Sequence, residues 1–443
     1  MKEATFMTAS GLAALGPENL PDYLKSGSHL IYSSPATLAF NSPGAEGFGV
    51  KRAGLAIPGS VMLLVSPGCC GRNTSLISGM AEYRGRFFYL TMDETDIVTG
   101  RHLKKIPEAV AEIVSEIQRR GRPRPSVVMI CITCVDALLG TDMERVCRKA
   151  EAAAGLPVRP CYMYALTREG RKPPMVHVRQ SLYSLLSPMK KKGSSVNILG
   201  YFAPLYSDCE LYDYLRSAGV KAIREISTCP SFEEFLKMAE ANFNLVLNPE
   251  ARFAAEDMRE KLKIPSIELR RLYRPAQIKK QYAALGRVLG VSFDDEKDYR
   301  AAEERIAAFY EKFGPLTFAV GECLNADPFE LSLLLVKKGF AVSEIYGTVT
   351  EENFVFLRAL GEASPDTRVY SNLEPTMLHY DSSCAGADLT LGRDAAYYHP
   401  DCPSLPWNSD RQPFGYRGTI ALFDAMDALL SGEKKKMEGE KAQ

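Results

Sequence analysis

Residues 243–269 read FNLVLNPEARFAAEDMREKLKIPSIEL. An apolar run at 243–248 stops at a proline, a helical pattern follows at 251–262, and a short apolar run returns at 265–269. Two strands this close, joined by one helix, form a βαβ unit whose strands lie parallel in one sheet. Upstream, residues 196–202 and 222–226 read as further strands, with a helix at 208–217 and an amphipathic segment at 232–241. Downstream, 277–289 reads as a helix. Block 195–290 is therefore expected to be a Rossmann-like α/β domain.

The scheme repeats in block 314–432, with strands at 316–320, 341–346 and 367–370 and helices at 328–338 and 351–360. Its last helix, 419–430, carries Ile420, Phe423, Met426 and Leu430 on one face. Residues 291–313 read as a helical connector and 433–443 as a charged tail. The first block, 1–192, ends in the basic run MKKKGSSVN and holds apolar strands at 60–65 and 126–132. Ile106, Val110, Ile113, Val114 and Ile117 mark a helix at 106–119, and another is expected at 142–153. The fold class expected is α/β, with three doubly wound, parallel-sheet domains.

Lys plus Arg and Asp plus Glu both number 54, a balance that points away from nucleic acid and membrane surfaces. No apolar run is long enough to span a bilayer, and the first twenty residues lack a secretory pattern, so a cytoplasmic location is expected. Eleven cysteines, an odd number, read as reduced thiols rather than a disulfide framework.

Two cysteine pairs stand where chemistry is expected. Cys69 and Cys70 follow a strand in LLVSPGCCGRN, after the turn-forming Pro67 and Gly68. Cys131 and Cys134 lie at the end of another in MICITCVDALLGTD. Ligands of open parallel sheets sit beyond the carboxyl ends of the strands, and thiolates on such turns suit an iron–sulfur cluster. Cys131-x-x-Cys134 also occurs in zinc and dithiol sites, and Cys131, inside an apolar strand, reads equally well as core filler. The five histidines show no metal-ligand spacing; His399, in the Pro-rich YYHPDCPSLPW, is the one placed to reach a site. No phosphate loop is present, so ATP hydrolysis is not expected of this chain.

These motifs resemble the component 1 family of nitrogenase and its relatives: protochlorophyllide and chlorin reductases, cofactor-assembly scaffolds and nickel-tetrapyrrole reductases. TCVDALLGTD at 133–142 is similar to the family stretch whose cysteine binds the interface cluster, which implies that role for Cys134. SPGCCGRN resembles the family's second ligand turn, implying Cys70 if the prolines align and Cys69 if the Gly-Cys pairs do. HVRQSLYSLL at 177–186 resembles the active-site segment, which puts Gln180 and Ser181 near substrate. Block two matches through YRPAQIKKQYAALG, and RQPFGYRGTIALFDAMDALL at 411–430 looks like the Gly-Tyr-x-Gly stretch and closing helix.

The departures are specific. No cysteine lies in NSPGAEGFGV, about where the first cluster ligand belongs, which leaves Cys131 or the second of the Cys69–Cys70 pair to compensate. Asn248 and Leu405 stand where nitrogenase anchors its molybdenum–iron cofactor by cysteine and histidine.

The resemblance implies an electron-accepting subunit of a nitrogenase-like two-component reductase. It would hold a 4Fe–4S or P-cluster-like iron–sulfur cluster and reduce a small molecule other than N2 in a cleft between the domains. The electrons would come from an ATP-dependent homodimeric iron protein. A paralogous subunit or a second copy would complete an oligomer. Two alternatives are a scaffold for metal-cofactor assembly and a metal-free doubly wound binding protein.

Overall fold

The computed structural model describes residues 3–25, 49–68, 74–133, 139–163, 172–191, 193–381 and 386–432. Cys69, Cys70, Cys134 and the 433–443 tail lie outside the described residues. The strands in chain order are β1 Met7–Thr8, β2 Val61–Ser66, β3 Phe87–Thr91, β4 Val128–Ile132 and β5 Val158–Tyr162. Next come β6 Ser195–Leu199, β7 Ala222–Glu225, β8 Phe243–Val246 and β9 Ser266–Glu268. The last are β10 Thr317–Val320, β11 Ala341–Tyr346, β12 Arg368–Tyr370, β13 Leu389–Leu391 and β14 Ser404–Leu405. The chain divides into two compact units, each discontinuous in sequence.

The first unit spans 46–204 and 220–269 and holds two parallel sheets, ordered β3-β2-β4-β5 and β7-β6-β8-β9. Period-two alternation splits the first sheet's side chains between two cores. Met62, Leu64, Met129, Cys131 and Cys161 pack on one face with Val50, Ala53 and Leu182. Leu63, Val65, Val128, Ile130 and Ile132 face helices His102–Arg119 and Met143–Ala154 on the other. Burial on both faces explains why β2 and β4 are unbroken apolar runs. Asp142 starts the second of those helices, its Oδ1 accepting from Arg145 N at 2.9 Å.

The βαβ unit of 243–269 is present as β8, helix Arg252–Leu262 and β9, with β8 paired to both β6 and β9. After β6 the chain passes close to Asn248. A Cβ on Gly200, whose φ is 131°, would stand 2.6 Å from Asn248 N, so only glycine fits.

The second unit takes in residues before 46, 205–219 and 270–442. Its sheet, ordered β1-β12-β11-β10-β13-β14, is parallel except for the antiparallel edge strand β1. The Gly-Tyr-x-Gly stretch begins helix Gly415–Leu430 here. The buried Glu210 carboxylate accepts from Tyr416 N at 2.6 Å, Arg417 N at 3.2 Å and Tyr282 OH at 2.7 Å. A Cβ on Gly415, at φ 64°, would collide with that carboxylate at 1.8 Å. The glycine is therefore required twice, by its backbone angle and by the carboxylate that caps the helix.

Candidate functional site

Strands β2 and β4 are parallel neighbours, with Val65 opposite Ile132. The described chain that precedes Cys69 and Cys134, ending at Gly68 and Thr133, therefore leaves adjacent strands at the same, carboxyl end of the sheet. Thr133 supplies a test of whether that end suits a bound cluster. Its hydroxyl is buried and has no hydrogen-bond partner among the described residues. A buried hydroxyl left unsatisfied costs about 1–3 kcal/mol, and an O–H at this position suits an acceptor such as cluster sulfur.

Cys131 is fully buried in β4, opposite Cys161 of β5. The Cys161 thiol donates toward Val50 O at 3.4 Å. Burial, then the neighbouring Cys131, pushes the Cys161 pKa well above the ordinary thiol value. The pair lies in the apolar layer under helices Val50–Gly54 and Pro174–Tyr183. Among the described residues, no three His, Cys, Asp or Glu side chains form a metal-binding group.

Gln180 and Ser181 lie on helix Pro174–Tyr183 and line a cleft of about 790 Å³ in the first unit. The Gln180 amide is engaged at both ends: Lys172 Nζ donates to its oxygen at 2.9 Å, and its nitrogen donates to Asp257 Oδ2 at 2.6 Å. Ser181 Oγ lies 3.4 Å from His177 Nδ1. Arg148, Arg159, Lys172 and Lys261 face Glu144, Glu151 and Asp257 around the walls, so cations exceed carboxylates. Cys147 also lines the cleft, its thiol pushed up by burial.

The helix is held by a residue that sequence reading missed. Arg179, buried, donates from Nε to Gly200 O at 3.0 Å and from Nη1 to Met175 O at 2.7 Å, and pairs with Glu250 at 2.8 Å. No local pattern marks it, because Gly200 and Glu250 are distant in sequence.

His399, in the second unit, ends helix Arg393–Tyr398 and is buried. Its Nε2 lies 3.0 Å from Glu344 Oε2, 2.9 Å from Tyr346 OH and 3.1 Å from Tyr380 OH. Both tyrosines donate to the same carboxylate oxygen, at 2.7 and 2.6 Å, and Arg368 pairs with the other at 3.1 Å. Burial pushes the Glu344 carboxyl up, but hydrogen bonds from His399, Tyr380 and Tyr346 outweigh it and hold its pKa below the ordinary value. The histidine is part of a closed polar network rather than the wall of an open site.

No helix among the described residues is long and apolar enough to cross a membrane. The chain is similar to nitrogenase iron-molybdenum cofactor biosynthesis protein NifE of Sinorhizobium fredii, 24% identical over 77% of this chain and 71% of that protein. The match to NifE of Clostridium pasteurianum is 26% identical over 44% of this chain and 41% of the relative. For NifE of Nostoc sp. the figures are 26%, 50% and 48%, so both of these matches span less than half of the relative's length.

Two solved structures share the fold. "Nitrogenase Cp1 at pH 6.5" superposes with TM-score 0.68 at 17% identity, covering 97% of this chain and 99% of that one. "Nitrogenase Cp1 at pH 5" gives 0.63 at 16%, covering 94% and 91%. The family profile described as nitrogenase component 1 type oxidoreductase matches residues 46–431, and the chain belongs to that family.

Proposed function

We propose that this chain is a scaffold on which a metal–sulfur cofactor is assembled and then released to another protein. The observation that carries the reading is the chemistry of Asn248 and Leu405, where the resemblance puts the anchors of catalytic relatives. Asn248 Oδ1 accepts from Glu250 N at 3.0 Å and caps Pro249–Ala251. Leu405 is a buried apolar residue of β14. Neither offers a permanent ligand to a transition metal, and a scaffold has to let its product go. The curated relatives, named as cofactor biosynthesis proteins, support this reading over that of a catalytic reductase.

On this proposal Cys70 and Cys134, with Cys69, hold an iron–sulfur cluster, while Cys131 packs in the core. When bound, such a cluster supplies one-electron transfer. The excess of cations around Gln180 and Ser181 would receive an anionic cargo. An ATP-dependent homodimeric iron protein would deliver electrons, and a paralogous subunit or second copy would complete the assembly.

The test is transfer. Anaerobically purified full-length chain, mixed with a cofactor-free nitrogenase component 1, should activate it in proportion to the chain added. Multiple turnovers of a small molecule by the chain with its iron protein, and no activation, would instead establish the reductase. A colourless, iron-free preparation would sink both.

A further inference from the structure

Near the β3-β2-β4-β5 sheet a second buried polar atom, besides the Thr133 hydroxyl, has no hydrogen-bond partner among the described residues. It is Nε2 of His102, a side chain 3% exposed. The other ring nitrogen, Nδ1, lies 3.0 Å from Asp96 O. A carbonyl oxygen can only accept, so Nδ1 carries the proton and the neutral ring keeps a lone pair on Nε2. Metal-binding imidazoles are held in this way: one nitrogen donates to a carbonyl or carboxylate, and the other is left for the ion. The Asp96 carboxylate does not compete for the ring, since it pairs with Lys105 at 2.6 Å and Arg101 at 3.1 Å.

The fold sets this nitrogen at the end of the sheet from which the chain runs on to Cys69 and Cys134. His102 opens helix His102–Arg119 and shares its buried face with Ile106, Val110, Ile113 and Ile117. These four isoleucines and valine pack in one core with Val65 of β2 and Ile132 of β4. The helix runs against the strands: just past its last turn, Arg122 Nη1 donates to Gly85 O at 3.1 Å, ahead of β3. Its first turn therefore stands at the carboxyl end, where Met92 N donates to Ser66 O at 3.0 Å and Thr133 follows β4. Charge there suits an anion. The helix has no side-chain cap and no acidic residue in its first turn, and Arg101, Lys104 and Lys105 outnumber Asp96 around its positive N-terminus. An iron–sulfur cluster takes four protein ligands, and the thiolates proposed for it, Cys69, Cys70 and Cys134, are three. We propose that His102 Nε2 is the fourth ligand, an imidazole donor to iron in a mixed cysteine–histidine site. The inference rests on the cluster that the scaffold reading includes.

Pulsed EPR of the reduced, anaerobically purified full chain, grown with and without isotopically labelled histidine, reads the bond directly. The cluster should couple to a nitrogen, and the coupling should change with the label. His102→Cys should keep its iron, lose the nitrogen coupling and lower the reduction potential, because histidine ligands raise it relative to thiolates. His102→Phe, which fills the space but offers no donor, should lose most of the iron. The wild-type spectrum needs no substitution, so the proposal can fail even if a variant does not fold. Iron-loaded wild type without nitrogen coupling, or a coupling that survives in His102→Cys, would overturn this ligand and leave the scaffold reading standing. A chain without iron would overturn both.

Discussion

Two strand ends of this molecule treat buried polar groups in opposite ways. Beyond β10, β12 and β13, Asp394 accepts from Glu322 N at 2.8 Å and Cys323 N at 3.1 Å, and Asn372 donates to it at 2.7 Å. Glu322 in turn accepts from Thr348 N at 2.8 Å. In the same unit Glu322 also accepts from Asn372, and Glu344 accepts from Tyr346 and Tyr380 and pairs with Arg368, so each of these three carboxylates answers to several side chains or backbone amides. Beyond β4 the Thr133 hydroxyl has no hydrogen-bond partner among the described residues. A satisfied network fixes a core and has little left for a ligand; an orphan donor one residue before Cys134 in the chain is spare capacity.

Four substitutions bear on that contrast. The largest effect is expected for Cys134→Ser, which should strip most of the iron from anaerobically purified protein. Cys147→Ser should leave the iron in place, because that thiol is spent on packing in helix Met143–Ala154. Equal iron in the two variants, measured by colorimetric assay, would remove the cysteine turns from the site.

Next is Glu344→Gln, expected to destabilise the fold by about 3 kcal/mol by breaking a buried charged network. The folded pKa of Glu344 lies below its ordinary value, so its contribution is complete above about pH 4.3 and fades as pH falls through the lowered folded value. The gap in Tm between wild type and variant should be constant near neutrality and close only in acid. A gap as wide at pH 3 as at pH 7 would contradict the network account.

Thr133→Val should have the smallest effect on stability, within about 1 kcal/mol, since it deletes a group that makes no hydrogen bond among the described residues. It should nevertheless shift the visible spectrum of the iron-loaded protein. A loss of several kcal/mol in Tm measurements would mean that the hydroxyl has a structural partner.

The central βαβ unit was legible because 243–269 holds one strand, one helix and one strand with a clear change of period between them. β11 was legible to the residue for the same reason. β5 was not: Val-Arg-Pro-Cys-Tyr interrupts its apolar character with a charge and a proline, both of which suit an edge but hide a strand. Missing β5 also hid Cys161, and with it the packing partner of Cys131. β13 and β14, of three and two residues, are too short to show a period. Gln180 and Ser181 could be singled out by resemblance. Asp257, which fixes the Gln180 amide from 77 residues away, could not. His399 looked accessible because prolines flank it, whereas its burial is set by Glu344, 55 residues earlier in the chain. In each case the local pattern reported on the backbone, and the missing partner lay at long range.

The carboxylate of Glu210 that caps Gly415–Leu430 has a consequence for synthesis. Its backbone partner Tyr416 lies 206 residues downstream, roughly 10 to 40 s of translation at roughly 5–20 residues per second. The first unit has all of its strands once residue 269 leaves the ribosome, while the second waits for its final helix. A nascent chain halted at that point should carry one finished unit and an acidic side chain still in water, exposed to whatever chaperone attends the tunnel exit.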